Sequence, residues 1–299
     1  MQIQNKKLVF GIMSVLFIAD ILVYLAVYSF SRQNFLEVIF FDVGQGDSIL
    51  ILTPEGRQIL IDGGSNSAIL EKLGGSLPFW DRTIDLIILT HPENDHLTGL
   101  IEVLKNYEVE NILWTGIIRD TETYKEWERL IAKEQGKEEK ANIFIARAGQ
   151  KIYLSGKNIN QYIEILYPFE SLEGKIFEDS NDTSIVNKLI FGENSFLFPG
   201  DIYKSAEKEI LEKGEGIDVD SDILKISHHG SKTSSAEEFI AKVSPEVAVI
   251  SAGKDNKYGH PSPETLEALE KYGITVLRMD IQGDVKIFSD GKKFKIDSR

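Results

Sequence analysis

Short apolar runs that stop at an aspartate or a histidine, with a glycine close by, recur along this chain. Phe35 to Asp42, Arg57 to Asp62, Ile84 to His91, Phe196 to Asp201 and Ile223 to His229 all have this form. Runs of this length, rich in Ile, Leu, Val and Phe, read as buried strands. From Ile84 onward they alternate with segments of helical spacing: Leu97–Tyr107, Thr121–Gln135, Tyr203–Leu211, Ala236–Val243 and Pro263–Tyr272. The alternation predicts one α/β domain over residues 35–299, its sheets covered by helices. Neither a repeat of fixed period nor a low-complexity linker divides it. Acids and histidines at strand ends can then meet on a single sheet edge.

Residues 1–34 read differently. Leu8 to Phe30 is an apolar run of 23 residues whose one charge is Asp20. As a helix it would be about 35 Å long, enough to cross a hydrocarbon core of roughly 30 Å. It is longer than the apolar core of a signal peptide, and no small-residue cleavage pattern follows it. We therefore expect a single N-terminal transmembrane helix, an uncleaved anchor over about residues 8–30. Lys6 and Lys7 before the run, against Arg32 after it, favour a cytoplasmic N-terminus. The expected location is the cell membrane, single-pass, with the domain on the extracytoplasmic side.

The densest cluster of chemistry is His91-Pro92-Glu93-Asn94-Asp95-His96, predicted as a turn between a strand and a helix. Two imidazoles and two carboxylates in so short a span suit zinc, manganese or iron. The chain has no cysteine, so thiolate sites and disulfides are excluded and any metal must be held by His, Asp, Glu or Asn. Taken singly, the alternatives are ordinary: His pairs in hydrogen-bonded loops, Asp201 as a helix cap. Four of the five histidines fall in two strand-end clusters, which points to one shared site. The net charge of −14 argues against a broad cationic grip on nucleic acid. The excess acid lies before Lys225, so a local basic face in the last third stays open.

Six segments in order resemble one family: FFDVGQGDS (Phe40 to Ser48), LIDGG (Leu60 to Gly64), THPENDHLTG (Thr90 to Gly99), FPGD (Phe198 to Asp201), LKISHHGSKTS (Leu224 to Ser234) and YGHPSPE (Tyr258 to Glu264). They are similar to the metallo-β-lactamase-fold hydrolases, and among these to the hydrolase domain of the ComEC family of competence proteins. The resemblance implies an αββα sandwich with the site at the edge of two packed sheets. It implies two divalent metal ions, zinc or manganese. His91, with Glu93 and Asp182 where histidines would usually stand, would serve the first. Asp95, His96 and His228 would serve the second, with His229 the rival to His228, and Asp201 would bridge the two. Asp62 would orient a ligand histidine from behind. Ser231, Lys232 and His260 are candidates for holding a substrate phosphate, His260 also for protonating the leaving oxygen, with Asp95 and Asp201 at the reacting centre.

A metal pair about 3.5–4 Å apart would activate a water for attack on phosphorus. The resemblance thus implies a phosphodiesterase or nuclease acting on DNA, most plainly a single strand, in DNA uptake beside a separate channel. Two other readings fit the same residues. One is a hydrolase of another ester, such as a phosphorylcholine ester or a lactone. The other is a catalytically degenerate module that binds DNA or a partner.

Overall fold

The strands form where apolar residues run without interruption, because both faces of each are covered. The computed structural model describes residues 2–32, 35–136, 141–155, 160–213 and 216–297, with side chains in the first of these given for 6, 7 and 9–24. Helix α1 (Gln2–Arg32) precedes β1 (Leu36–Phe40), β2 (Ile49–Leu52) and β3 (Gln58–Ile61), which are joined as antiparallel neighbours. Then come α2 (Ala68–Ser76), β4 (Thr83–Ile84), β5 (Leu86–Ile88), α3 (Asn94–Asn106), β6 (Glu108–Val109), β7 (Asn111–Trp114), α4 (Glu122–Gln135) and β8 (Asn142–Ile145). The second half holds β9 (Lys151–Tyr153), β10 (Gln161–Tyr167), β11 (Val186–Phe191), β12 (Asn194–Phe198), α5 (Lys204–Lys213), β13 (Ile223–Lys225), α6 (Glu237–Val243), β14 (Val247–Ile250), α7 (Pro263–Lys271) and β15 (Thr275–Arg278). A short α8 (Met279–Gln282) and the hairpin β16 (Val285–Ser289) and β17 (Phe294–Asp297) complete it.

One sheet has the order β17-β16-β1-β2-β3-β5-β7-β8 and the other β15-β14-β13-β12-β11-β10-β9. Strand alternation sorts side chains between layers. Val38 and Phe40 face the core between the sheets, with Phe198, Ile223 and Val249 opposite. Their neighbours Ile39 and Phe41 face outward onto Leu73, Leu97, Leu100 and Trp127 of α2, α3 and α4. On the far side Leu197, Leu224 and Ala248 pack on Ile210, Phe239 and Leu269 of α5, α6 and α7. Four layers result, helices–sheet–sheet–helices, as the sequence predicts.

Some details differ from expectation. Helix α3 starts at Asn94, not Leu97, so Asp95 and His96 lie in its first turn; Glu93 stands before it with extended backbone. Helix α2 was not expected, because Gly74 and Gly75 blur a pattern that rests on buried Ile69 and Leu73. The expected strand over Ile84–Thr90 breaks at Asp85, whose carboxylate accepts from the Gln58 amide (2.7 Å) and the Arg57 guanidinium. No helix among the described residues is long and apolar enough to cross a membrane. The expected anchor over 8–30 lies partly outside the described side chains.

The site is positioned by a backbone contact. The Gly63 amide donates to the His96 carbonyl (2.8 Å) and the Gly99 amide to the Gly64 carbonyl (3.0 Å), seating the start of α3 on the turn after β3. A Cβ on Gly99 would fall 1.8 Å from the Gly63 oxygen, whereas one on Gly74 would meet nothing within 4 Å. Gly99→Ala is therefore expected to destabilise the fold by about 1–3 kcal/mol, and Gly74→Ala to leave it unchanged or raise it by up to about 1 kcal/mol. Urea titration of both variants measures this; equal midpoints would refute the contact's importance.

Candidate metal centre

The carboxyl ends of β3, β5, β12 and β13 deliver Asp62, His91, Asp201 and the His228-His229 pair to one edge, where the first turn of α3 adds Asp95 and His96. Three of these residues hold left-handed backbone that non-glycine residues seldom adopt: Asp62 (φ 57°), His228 (φ 48°) and His229 (φ 56°). At Asp62 this turn aims the carboxylate back across the sheet. One oxygen accepts from the Thr90 amide (2.8 Å), the other from the Thr90 hydroxyl (2.7 Å) and from His96 Nδ1 (2.8 Å).

These bonds commit the Nδ1 protons. Thr90 uses its one hydroxyl proton on Asp62, so its oxygen accepts from His91 Nδ1 at 3.0 Å. His91 Nε2 is then a bare lone pair, buried with no hydrogen-bond partner. His96 donates through Nδ1 and presents Nε2 to Asp201 Oδ2 at 3.2 Å. His229 donates Nδ1 to the Ser251 carbonyl at 2.8 Å. Its Nε2 lies 3.1 Å from Asp201 Oδ2 and 3.4 Å from Asp95 Oδ2, aligned for a hydrogen bond with neither. Each imidazole is thus held through Nδ1, with Nε2 of His91 and His229 left without a hydrogen-bond partner and Nε2 of His96 against Asp201, as ligand histidines are held from behind.

Donor atoms of His91, His96 and Asp201 lie within 4.8 Å of one another, as do those of Asp95, His96 and His229. Orphaned, buried nitrogens beside carboxylates are the donor set a divalent ion requires, and the residues fit one. Electrostatics agree. Burial and the neighbouring His96 hold His91 well below the usual imidazole range, so it is neutral. Burial opposes charge on His96, but Asp201 and Asp62 outweigh it and raise it well above that range. His229 is likewise raised against its burial, to about 9, by Asp201 and Asp95. Asp201 stays ionised despite burial because His229, His96 and Lys225 surround it.

Three residues around the site were not foreseen. Lys225, 1% exposed, donates to the Gly200 carbonyl (3.0 Å) and to Asp201 Oδ1 (3.2 Å), and pairs with buried Asp47. A lysine inside the apolar run ILKIS is itself a signal that a buried acid awaits it, and Asp47 stands in the quoted FFDVGQGDS segment. The third is Arg119, whose guanidinium is bound by the Phe177 and Glu178 carbonyls and reaches Glu93 Oε1 at 2.7 Å.

That contact corrects the expected first-metal set. Glu93 is taken by Arg119 and by the Ser180 hydroxyl. Asp182 is not in the cluster: its carboxylate accepts from the Tyr203 amide (2.7 Å) and the Ser205 hydroxyl (2.5 Å), at the start of α5. His229, not His228, enters the donor cluster. His228 stands half-buried beside Asn181 and Thr233, on the wall of a cavity of about 330 Å³ that opens over the donors and is also lined by Glu93, Tyr258 and His260. Burial lowers His260, which keeps it neutral near neutral pH. Ser231 is buried beside an adjoining cavity, and Lys232 is exposed and lines neither.

Fold and site together define the class. Residues 41–254 match the model of the Metallo-beta-lactamase superfamily, and the chain belongs to that superfamily, whose fold is that of metal-dependent hydrolases. Among individual proteins it is 31% identical to ComE operon protein 3 of Bacillus subtilis over 268 residues, 84% of this chain and 32% of that protein. It is 29% identical to competence protein ComA of Neisseria gonorrhoeae, again over 84% of this chain and 32% of the relative. The chain thus spans about a third of the length of these relatives. Igni18, a metallo hydrolase of Ignicoccus hospitalis, shares the fold with a TM-score of 0.52 at 15% identity, over 84% of this chain and 98% of that one.

A raised imidazole pKa stabilises the fold fully below the ordinary value near 6.5, and the gain is lost as pH rises through the folded value. The metal-free protein should therefore lose stability between about pH 6.5 and 9 as His229 gives up its proton. Because His96 and His229 are protonated at pH 7, binding a divalent ion must release protons. Calorimetry in buffers of differing ionisation enthalpy measures the release; none at all would contradict this protonation pattern.

Proposed function

We propose that this chain is a metal-dependent phosphodiesterase that cuts DNA in the course of DNA uptake. The observation that carries the reading is the convergence of Asp95, His96, Asp201 and His229 beneath an open cavity. Kinship with competence proteins supplies the nucleic-acid context. When bound, a divalent ion, zinc or manganese, would lower the pKa of a water and offset charge developing on phosphate oxygens. The four residues named would hold the better-furnished site. His91 with Asp201 would offer only a weak second one, since Glu93 is engaged by Arg119. Asp62 keeps the His96 ring in register. His260, neutral and on the cavity wall, is placed to donate a hydrogen bond from its ring N–H to a leaving oxygen, while Ser231 contacts substrate farther along.

We further read residues 8–30 as a membrane anchor, the domain lying on the extracytoplasmic side beside a separate channel. Support comes from the apolar run, its helical backbone over Gln2–Arg32, and the exposure of its apolar side chains Val9, Phe10, Leu16 and Phe17. Diversion of Glu93 gives the degenerate binding module its one specific argument.

The full chain in detergent, loaded with manganese or zinc, should cleave a labelled single-stranded oligonucleotide. Asp201→Ala and His229→Ala should abolish cleavage and metal retention, and Asp62→Ala should weaken either by about 10–100-fold. His228→Ala should retain metal. Metal loss in His228→Ala but not in His229→Ala would reverse the assignment, and binding without cleavage by the parent chain would favour the module.

A further inference from the structure

Resting on that reading, we propose that the wall from His228 to Tyr258, with the adjoining polar pocket, is the track on which one strand of the nucleic acid leaves the metal centre. Rings step outward from the donors. His229 and His228 have centroids 6.0 Å apart, His228 and His260 5.7 Å, and His260 and Tyr258 5.7 Å, the last pair nearly parallel at 24°. Tyr258 is 57% exposed, too open to be a packing residue of the core. Beside this row lies a cavity of about 600 Å³ lined by Lys204, Ser205, Ser231 and Thr233. Ser205 donates its hydroxyl to Asp182 and Ser231 bonds Thr233, so the Lys204 ammonium is the group there that would take phosphate oxygens.

Charge gives the track a direction. Glu178 and Asp179 make one wall of the cavity acidic, which would repel a phosphate chain. Lys204 lines the adjoining pocket, and the exposed Lys257 holds its Nζ 5.1 Å over the Tyr258 ring. A chain of net charge −14 thus sets cations on the ring-bearing rim. Ring faces beside cations suit unpaired bases, which stack on them; the bases of a duplex are already stacked on one another. The ligand class is therefore single-stranded DNA, with a base on Tyr258 and phosphates at Lys204 and Lys257.

The test uses the full chain in detergent with manganese and a nuclease-resistant phosphorothioate oligothymidylate, binding being read by fluorescence anisotropy. Tyr258→Ala should weaken binding about tenfold and Tyr258→Trp should restore it. Lys204→Ala and Lys257→Ala should each reduce the slope of log affinity against log salt by about 0.7. Equal affinity of the Ala and Trp variants, or a duplex binding as tightly as the single strand, would overturn the track. Cleavage of an ordinary oligonucleotide and of bis(4-nitrophenyl) phosphate separates the two claims. Tyr258-dependent binding without any cleavage keeps the track and defeats the hydrolase; cleavage with Tyr258-independent binding does the reverse.

Discussion

An ionised carboxylate has to survive at the bottom of this molecule, and the arrangement around it follows from that demand. Asp201 is buried between the end of β12 and the start of α5, where an isolated charge would be neutralised by taking up a proton. Lys225, His96 and His229 prevent this, and Asp47 balances Lys225 in turn. Removing any one partner leaves another charge uncompensated away from water, which is more costly than the pair is stabilising. The backbone strain at Asp62, His228 and His229 belongs to the same arrangement, since each left-handed turn keeps an imidazole or its carboxylate support in reach of that centre.

Much of this was legible in the chain. Apolar runs ending in Asp62, His91, Asp201 and His229 announce strands whose ends meet, because an α/β sandwich brings the carboxyl ends of its parallel strands to one edge. What was not legible depended on torsion angles and distant partners. His228 and His229 are equivalent as letters; two consecutive left-handed residues, with the Ser251 carbonyl as a latch, decide which ring faces inward. Glu93 looks like a ligand until Arg119, from the segment ahead of α4, reaches it. Asp182 looks like one until the Tyr203 amide and the Ser205 hydroxyl claim its carboxylate.

The two halves contribute unequally. The first sheet and α3 supply His91, Asp95, His96 and the support from Asp62, tied together by glycine contacts that allow no side chain between them. The second sheet supplies Asp201, Lys225 and His229, and its loop after β13 is fastened by Glu207, whose carboxylate accepts from the Ser235 and Ala236 amides. The centre thus forms only when both sheets are in place, and its donors report on how the halves are seated.

Strand β1, the first after the N-terminal helix, is not an edge strand: it runs between β2 and β16, antiparallel to both. A pull arriving through the helix would act along β1 and load the hydrogen bonds of both flanking ladders together, in shear. It could not peel the strand away one bond at a time. The domain is therefore mechanically robust to a load applied along β1, which would meet resistance at the sheet before disturbing the donors at its edge.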